Sequence, residues 1–339
     1  MKIIIDGYGG DNAPQEIIKG CVLAVNEIAD LNLVITGKKN EIEKILKNLG
    51  YTGDKIEIIN AESVISGDDE NPAKLIKAMP DSSIVVAFET LKQRDDIDAL
   101  ISAGSTGAVL AGAILKIGRI KGVSRPGLAP TLPTKIEDKG VLLIDCGANA
   151  DCKPINLCHF AAMGSVYYEM IYGIKNPRVA LLNVGTEDAK GNIMIKESFK
   201  LMKKMPINFV GNLEARDALS GDYEVIVADG FSGNLALKSI EGAVSLVMSN
   251  LKKEIKASFL AKIGYLFMKK AFNKLKNRFD YTKYGGSQFL GCKKPIFKAH
   301  GNSNAESIVI VIKQAISVAN NNLNQKIEEL VNSIDIKED

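Results

Sequence analysis

The 339-residue chain contains no tryptophan and only two histidines. With so few imidazoles, its thiols have no histidine partner within a recognisable motif, which argues against an obligatory covalent enzyme intermediate. No G-x-S-x-G elbow occurs, so a hydrolase triad of the α/β-hydrolase kind is not expected. No apolar run approaches the roughly 18 residues of a membrane span. The start, MKIIIDGYGGD, enters a strand directly with no apolar leader region, so we expect no signal peptide and a cytoplasmic protein. Five cysteines, an odd number, point to reduced thiols. Cys146, Cys152 and Cys158 stand near His159, but their spacing matches no usual zinc motif. They read as buried thiols, His159 as a packed core histidine, and no metal or cofactor is expected. Low-complexity linkers and repeats of 20–50 residues are also missing, so residues 1–339 read as a single α/β domain with no clean boundary.

Short apolar runs alternate with helical patterns along the chain. Strands are expected at 2–6, 31–37, 55–60, 98–102, 140–145, 178–184, 207–212, 223–230 and 295–301, with a short one near 129–132. Helices are expected near 14–28, 41–49, 72–79, 107–117, 155–172 and 193–204. A last helix starts at a capping-box-like Ser303–Glu306 and runs to about Val318. Residues 83–87, SIVVA, fit either a strand or a buried helix, and 320–339 read as a polar, frayed helical tail. Such alternation means an α/β fold with a mainly parallel sheet.

Six strand-like runs end in polar, glycine-bearing turns: DGYGGDNAP at 6–14, SAGSTGA at 102–108, DCGANAD at 145–151, NVGTED at 183–188, DGFSGN at 229–234 and HGNSN at 300–304. Parallel sheets bind ligands beyond the carboxyl ends of their strands, so six such turns suggest one shared pocket. The stretch 98–115 is the clearest. Gly104 and Gly107 allow close backbone approach, and Ser105 and Thr106 stand where an N-cap would stand. A helix start of that kind suits an anion, although the spacing is neither a P-loop nor G-x-G-x-x-G. Asp6, Gly9, Gly10 and Asp11 read as pocket architecture. The hydroxyls, amides and carboxylates of these turns suit a polar, anionic reactant.

Charge is uneven. Net charge is +3, yet 252–298 carries 13 lysines or arginines against Glu254 and Asp280, a net of +11, which leaves −8 elsewhere. Leu251, Ile255, Phe259, Ile263, Phe267, Ala271, Leu275 and Phe279 recur every four residues, with lysines over much of the remaining surface. Such a helix fits an anionic lipid surface or an acidic protein. Its aromatics follow helical spacing and not a stacking platform, so nucleic acid is the weaker reading.

The blocks MKIIIDGYGGDNAP, ISAGSTGA, LLIDCGAN, LLNVGTE, GNLEARD, VADGFSGNLALKSIEG, YGGSQFLG and KAHGNSN, in this order, closely resemble the phosphate acyltransferases of bacterial phospholipid synthesis, the PlsX family. The resemblance covers Met1 to about Val318. It implies a three-layer α/β/α fold similar to phosphotransacetylases and to isocitrate and isopropylmalate dehydrogenases, in a homodimer. It also implies transfer of a long acyl chain from acyl carrier protein to inorganic phosphate, giving acyl phosphate for a membrane glycerol-3-phosphate acyltransferase. On that basis Ser102, Ser105 and Thr106, with Gly104 and Gly107, are candidates to hold phosphate. Asn183, Asp229, Asn234 and His300 are candidates to orient the reactants, with Gly230, Gly233 and Lys238 beside them. Lys238 could be a cation one helical turn past Asn234, but reads more readily as an exposed surface lysine. The resemblance further implies a projecting helical hairpin at 250–284 with its tip near Leu260–Phe272, where Leu260, Ile263, Leu266, Phe267, Lys269 and Lys270 would touch a membrane peripherally. The chain departs from the family pattern at Tyr8, Ser105, Ala215 and Ser287–Gln288. Phosphate is already nucleophilic near neutral pH, and a thiol of pKa about 8.5 leaves readily. Direct attack on a thioester therefore needs positioning and oxyanion donors more than a strong base. Two other readings stay open: an NAD-linked dehydrogenase of similar fold, and a non-catalytic scaffold at the membrane surface.

Overall fold

The computed structural model describes residues 1–66, 71–279 and 285–334. Asp280 and Lys283 of the basic segment, the far end of the 250–284 stretch, part of the polar turn before Pro72 and the last five residues of the tail lie outside the described residues.

The chain builds two sheets. The larger has the order β3 (Ile56–Asn60), β2 (Asn32–Gly37), β1 (Lys2–Asp6), β4 (Ala99–Ser102), β12 (Ile296–Lys298), β11 (Ser287–Leu290), β5 (Gly127–Ala129). Its first five strands are parallel neighbours, and β11 runs antiparallel to both β12 and β5. The smaller has the order β6 (Thr131–Pro133), β7 (Gly140–Ile144), β10 (Val225–Val227), β8 (Val179–Asn183), β9 (Phe209–Glu214), parallel except for β6. The sequence predicts an α/β fold with a mainly parallel sheet, and the class is as expected. The division into two sheets, and the strand β11 inside GGSQFLG, were not read from it.

Eleven helices flank the described strands: α1 (Gln15–Glu27), α2 (Lys39–Asn48), α3 (Pro72–Ala78), α4 (Ser83–Gln93), α5 (Thr106–Gly112), α6 (Pro154–Tyr172), α7 (Ile193–Met202), α8 (Gly230–Ala257), α9 (Phe259–Phe279), α10 (Ala305–Ala319) and α11 (Leu323–Asn332). The ambiguous SIVVA run is the start of α4. Its Ile84, Val85, Ala87, Phe88 and Leu91 are buried against the larger sheet, because the apolar pattern continues at helical spacing beyond residue 87. Helix α5 runs on into one π-helical turn, Ala113–Ile117. The start of α10 differs from the expected capping box. Asn304 is the N-cap and accepts from Ser307 N at 2.9 Å, while Ala305 N donates to Glu16 Oε2 at 2.8 Å. The tail is not frayed over its described part. Leu323, Ile327 and Val331 of α11 bury one stripe and join the core, with α11 packed on α6.

Candidate active site at two sets of strand ends

The six polar turns all follow parallel strands, and they divide three and three. Those after β1, β4 and β12 belong to the larger sheet, and those after β7, β8 and β10 to the smaller. The turns expected to share one pocket thus stand at the ends of two separate sheets.

On the larger-sheet wall, strand order places Asp6, Ser102 and Lys298 side by side. β1 pairs with β4, and β12 sets Lys298 opposite Ser102. Ser102 Oγ donates to Asp6 Oδ2 at 2.7 Å and accepts from Gly104 N at 3.0 Å, and Tyr8 N donates to Asp6 Oδ1 at 3.3 Å. Burial pushes the Asp6 carboxyl up, against the opposing effect of hydrogen bonds from Ser83, Ser102, Tyr8 and Gly9. The turns touch backbone to backbone. A Cβ on Gly9 would stand 2.5 Å from Gly104 N and 2.6 Å from Asp6 Oδ2. Asp11 N donates to Gly301 O at 2.7 Å, and Gly10 packs on the same carbonyl, which ties the β1 turn to the β12 turn. Asp6, Gly9, Gly10 and Asp11 are therefore tied into the contacts between the β1, β4 and β12 turns.

Two residues expected to hold an anion have their hydroxyls engaged locally. The one proton of Ser102 points to Asp6, so Ser102 acts here as a fastener between turns and not as a free donor. Ser105 Oγ accepts from Ala108 N at 3.2 Å as the N-cap of α5. Thr106 opens α5. Gly107 lies against Pro72 of α3, where a Cβ would meet Pro72 Cγ at 2.8 Å, so its smallness serves helix packing.

The smaller-sheet wall is organised by a residue that carried no assignment from the sequence, Asp145. Its buried carboxylate accepts from Leu128 N at 2.9 Å, Ala148 N at 3.1 Å, Asn149 N at 2.7 Å and Asn149 Nδ2 at 2.9 Å. The loop so held supports the start of α8. A Cβ on Gly233 would fall 1.9 Å from Asp145 O, and one on Gly230 2.6 Å from Asn149 O. Gly230 and Gly233 thus have a packing duty at the start of α8. Asp229 caps α8 by accepting from Ser232 N at 2.9 Å. Asn234 lies beside Gly147, and His300 follows β12 with its carbonyl accepting from Ser303 N at 3.0 Å. Lys238 is exposed and pairs with Glu241 at 2.7 Å.

Asn183 is placed apart from the Asp6 group. Its Oδ1 accepts from Val184 N at 2.8 Å, and with Asp229 it lines a cavity of about 750 Å³. The cavity lies between the end of β8, α7 and one face of α8, and its walls are mainly aliphatic, including Leu182, Ile195, Leu235, Ala236 and Ile240. The sequence did not expose it, since its lining comes from separate segments that only the fold brings together. Lys298 was also missed, being read as the last member of the basic segment. Its Nζ donates to Ala103 O at 3.3 Å and also to Ala299 O. Burial pushes its ammonium down to about 8, with Asp11 and Asp6 opposing and Lys238 reinforcing. Lys238 and Lys298 thus bring the two walls into electrostatic contact.

His159 is buried, with Nδ1 2.8 Å from Ser124 Oγ and accepting from Ser124 N at 3.1 Å, so it pins a loop inside the fold. Among the described residues no group of three or more His, Cys, Asp or Glu side chains is placed to hold a metal ion. Among them, too, no helix is long and apolar enough to cross a membrane.

The architecture is that of a phosphotransacetylase. It superposes on a phosphotransacetylase from Streptococcus pyogenes with a TM-score of 0.64, 18% identity and 94% of each chain covered. The EutD phosphotransacetylase from Staphylococcus aureus gives 0.57 at 16% identity, over 96% of this chain and 94% of that one. The family model described as fatty acid synthesis protein matches residues 1–326. The phosphate acyltransferase of Clostridium novyi (strain NT) is 47% identical over 328 residues, covering 97% of this chain and 98% of that one. That of Lysinibacillus sphaericus (strain C3-41) is 43% identical over 336 residues, covering 99% and 100%. The chain belongs to this phosphate acyltransferase family and is an acyltransferase, so the dehydrogenase and scaffold readings give way.

Proposed function

We propose that this protein transfers a long acyl chain from acyl carrier protein to inorganic phosphate, releasing acyl phosphate and free carrier protein. The observation that carries the reading is the presence of two unlike features at strand ends, a polar cluster on the larger sheet and an aliphatic cavity on the smaller. A polar cluster at the ends of β1, β4 and β12 suits a small anion. The 750 Å³ aliphatic cavity at the end of β8 suits an acyl chain, within the roughly 300–1,000 Å³ of small-molecule sites. A phosphate oxygen attacks the thioester carbon. The tetrahedral intermediate collapses, the C–S bond breaks, and the carrier thiolate leaves and takes a proton from solvent. The cleft contributes orientation and preset dipoles. Asn183 and Asp229, which line the aliphatic cavity, would orient the acyl end, with Asn234 and His300 as further candidates.

The α8–α9 hairpin supplies the encounter surface. Phe267 is 87% and Leu266 68% exposed on a helix studded with lysines. Aromatic and aliphatic groups among lysines suit an anionic lipid surface, where a membrane glycerol-3-phosphate acyltransferase would consume the product. The same lysines suit the acidic carrier protein, and the exposed apolar stretch of α8, with Phe231, Leu235, Leu246 and Val247, suits a second copy in a homodimer. The reaction is tested by incubating the protein with long-chain acyl carrier protein and phosphate and trapping product with hydroxylamine. Phosphate-dependent hydroxamate is expected, and hydroxamate that forms equally without phosphate, or not at all, rejects the reading.

A further inference from the structure

We propose that Lys298 is the cation that binds the attacking phosphate, an inference that rests on the reaction assigned above. Two lysines near the larger sheet make the contrast. Lys294 Nζ donates to three carbonyls, Leu91 O at 2.8 Å, Arg94 O at 2.9 Å and Ile97 O at 3.5 Å, so its three donors are all engaged and its role is to hold chain together. Lys298 Nζ donates to two, Ala103 O and Ala299 O, and keeps one donor over.

Its ammonium is in no ion pair among the described residues. The groups that act on it are Asp11 from the β1 turn, Asp6 at the end of β1 and Lys238 from α8. Among the described residues no carboxylate lies within ion-pair distance of its ammonium, and Asp6 is already taken up by Ser102 and Tyr8. A partly buried ammonium held only by neutral carbonyl acceptors is a costly arrangement unless an anion completes it. The register of β12 against β4 puts Lys298 opposite Ser102, at the turn where Gly104 and Ser105 begin the next loop. An incoming phosphate there would meet the ammonium directly. Lysine binds phosphate as a point charge and leaves its oxygens free to rotate toward the thioester. Ser102 and Ser105, engaged locally, shape this place without supplying its charge.

The test uses the full chain with Lys298→Met and Lys298→Arg. Phosphate binding is read by calorimetry with no acyl donor present, and turnover is read against phosphate and against acyl carrier protein separately. Lys298→Met is expected to weaken phosphate binding and to raise the phosphate KM by about 30-fold, in keeping with the loss of a charged hydrogen bond. The KM for the acyl donor should stay within about twofold, which a merely structural lesion would not respect. In the wild type, phosphate affinity should fall as pH rises through about 8, where the ammonium loses its proton. Lys298→Arg should recover part of the binding and lose that alkaline decline, since a guanidinium stays charged. If Lys298→Met does not fold, loss of the alkaline decline in Lys298→Arg supports the proposal and its persistence overturns it. Wild-type phosphate affinity in a folded Lys298→Met also overturns it. Should hydroxamate never form, the reaction assignment fails, and the calorimetric difference between wild type and Lys298→Met still decides the role of the lysine.

Discussion

Phe88 and Phe267 show how differently two regions of this protein use one kind of side chain. Phe88 is fully buried in α4, pressed so close to Gly112 that a Cβ there would stand 2.1 Å from its ring. Phe267 stands 87% exposed on α9. The strand-end cleft rests on core of the first kind, and its polar groups reach one another through backbones in contact. The hairpin has the second kind, with Phe259, Leu260 and Leu266 also exposed beside lysines. A fold that buries its sheet residues this completely gains nothing in stability from an exposed Phe267. The difference separates residues that build the core from residues left on the surface, which is where the proposed encounter with a membrane or carrier protein would take place.

The sharpest way to break this comparison is one substitution made in both regions. Gly233→Ala forces a Cβ to 1.9 Å from Asp145 O, a backbone atom that cannot turn aside, whereas a Cβ on Gly264 of α9 meets nothing within 4 Å. We expect Gly233→Ala to cost about 3 kcal/mol, at the upper end of ordinary overpacking, and to abolish activity. Gly264→Ala should leave activity unchanged and raise helix stability by about 0.5–1 kcal/mol. Denaturant melts and turnover of the two variants check this.

A smaller effect is expected from filling the aliphatic cavity. Ala236→Trp should exclude several methylenes, at about 0.8 kcal/mol each, and lower kcat/KM for long-chain donors by about 100-fold while sparing short ones. Equal losses across chain lengths would remove the cavity from the account. On the hairpin, Leu266→Glu with Phe267→Glu should reduce flotation with anionic vesicles about tenfold or more and leave turnover with soluble substrates unchanged. Unaltered flotation would take the membrane role from these residues.

The smallest effect is on acid stability. Burial alone would raise the Glu224 carboxyl, but hydrogen bonds from Arg178 and Lys139 outweigh it and hold the group at about 2, below its ordinary 4.5. A depressed carboxylate stabilises the fold above its unfolded value and loses that contribution as pH falls toward the folded one. Stability that depends on Glu224 should therefore decline between about pH 4.5 and pH 2, and Glu224→Gln should flatten the curve in that window.

Strand ends were the legible part of the site, because a polar glycine-bearing turn after an apolar run is a local pattern. Asp6, Asp11, Asp229 and Ser105 were singled out that way, and the four-residue period marked 251–279 as amphipathic, while the hairpin was implied only by the family resemblance. What sequence could not display depends on non-local pairing. Lys298 belongs to the cleft because β12 inserts beside β4, nearly 200 residues away, whereas along the chain it stands at the end of a lysine-rich segment. The cavity needs Leu182, Ile195 and Ala236 from three elements. Ser102 and Gly233 were singled out from the sequence, but the hydrogen bond of Ser102 to Asp6 and the packing of Gly233 on Asp145 are visible only in the fold.

The central claim is that one cleft joins an anion site at Lys298 to an acyl cavity along α8. Its most direct test is a crystal structure with a non-hydrolysable long-chain acyl phosphonate. We predict the phosphonate against Lys298 Nζ near the 102–105 turn and the chain in the cavity bounded by Leu182, Ile195 and Ala236. A chain bound elsewhere, or a phosphonate away from Lys298, would contradict the account.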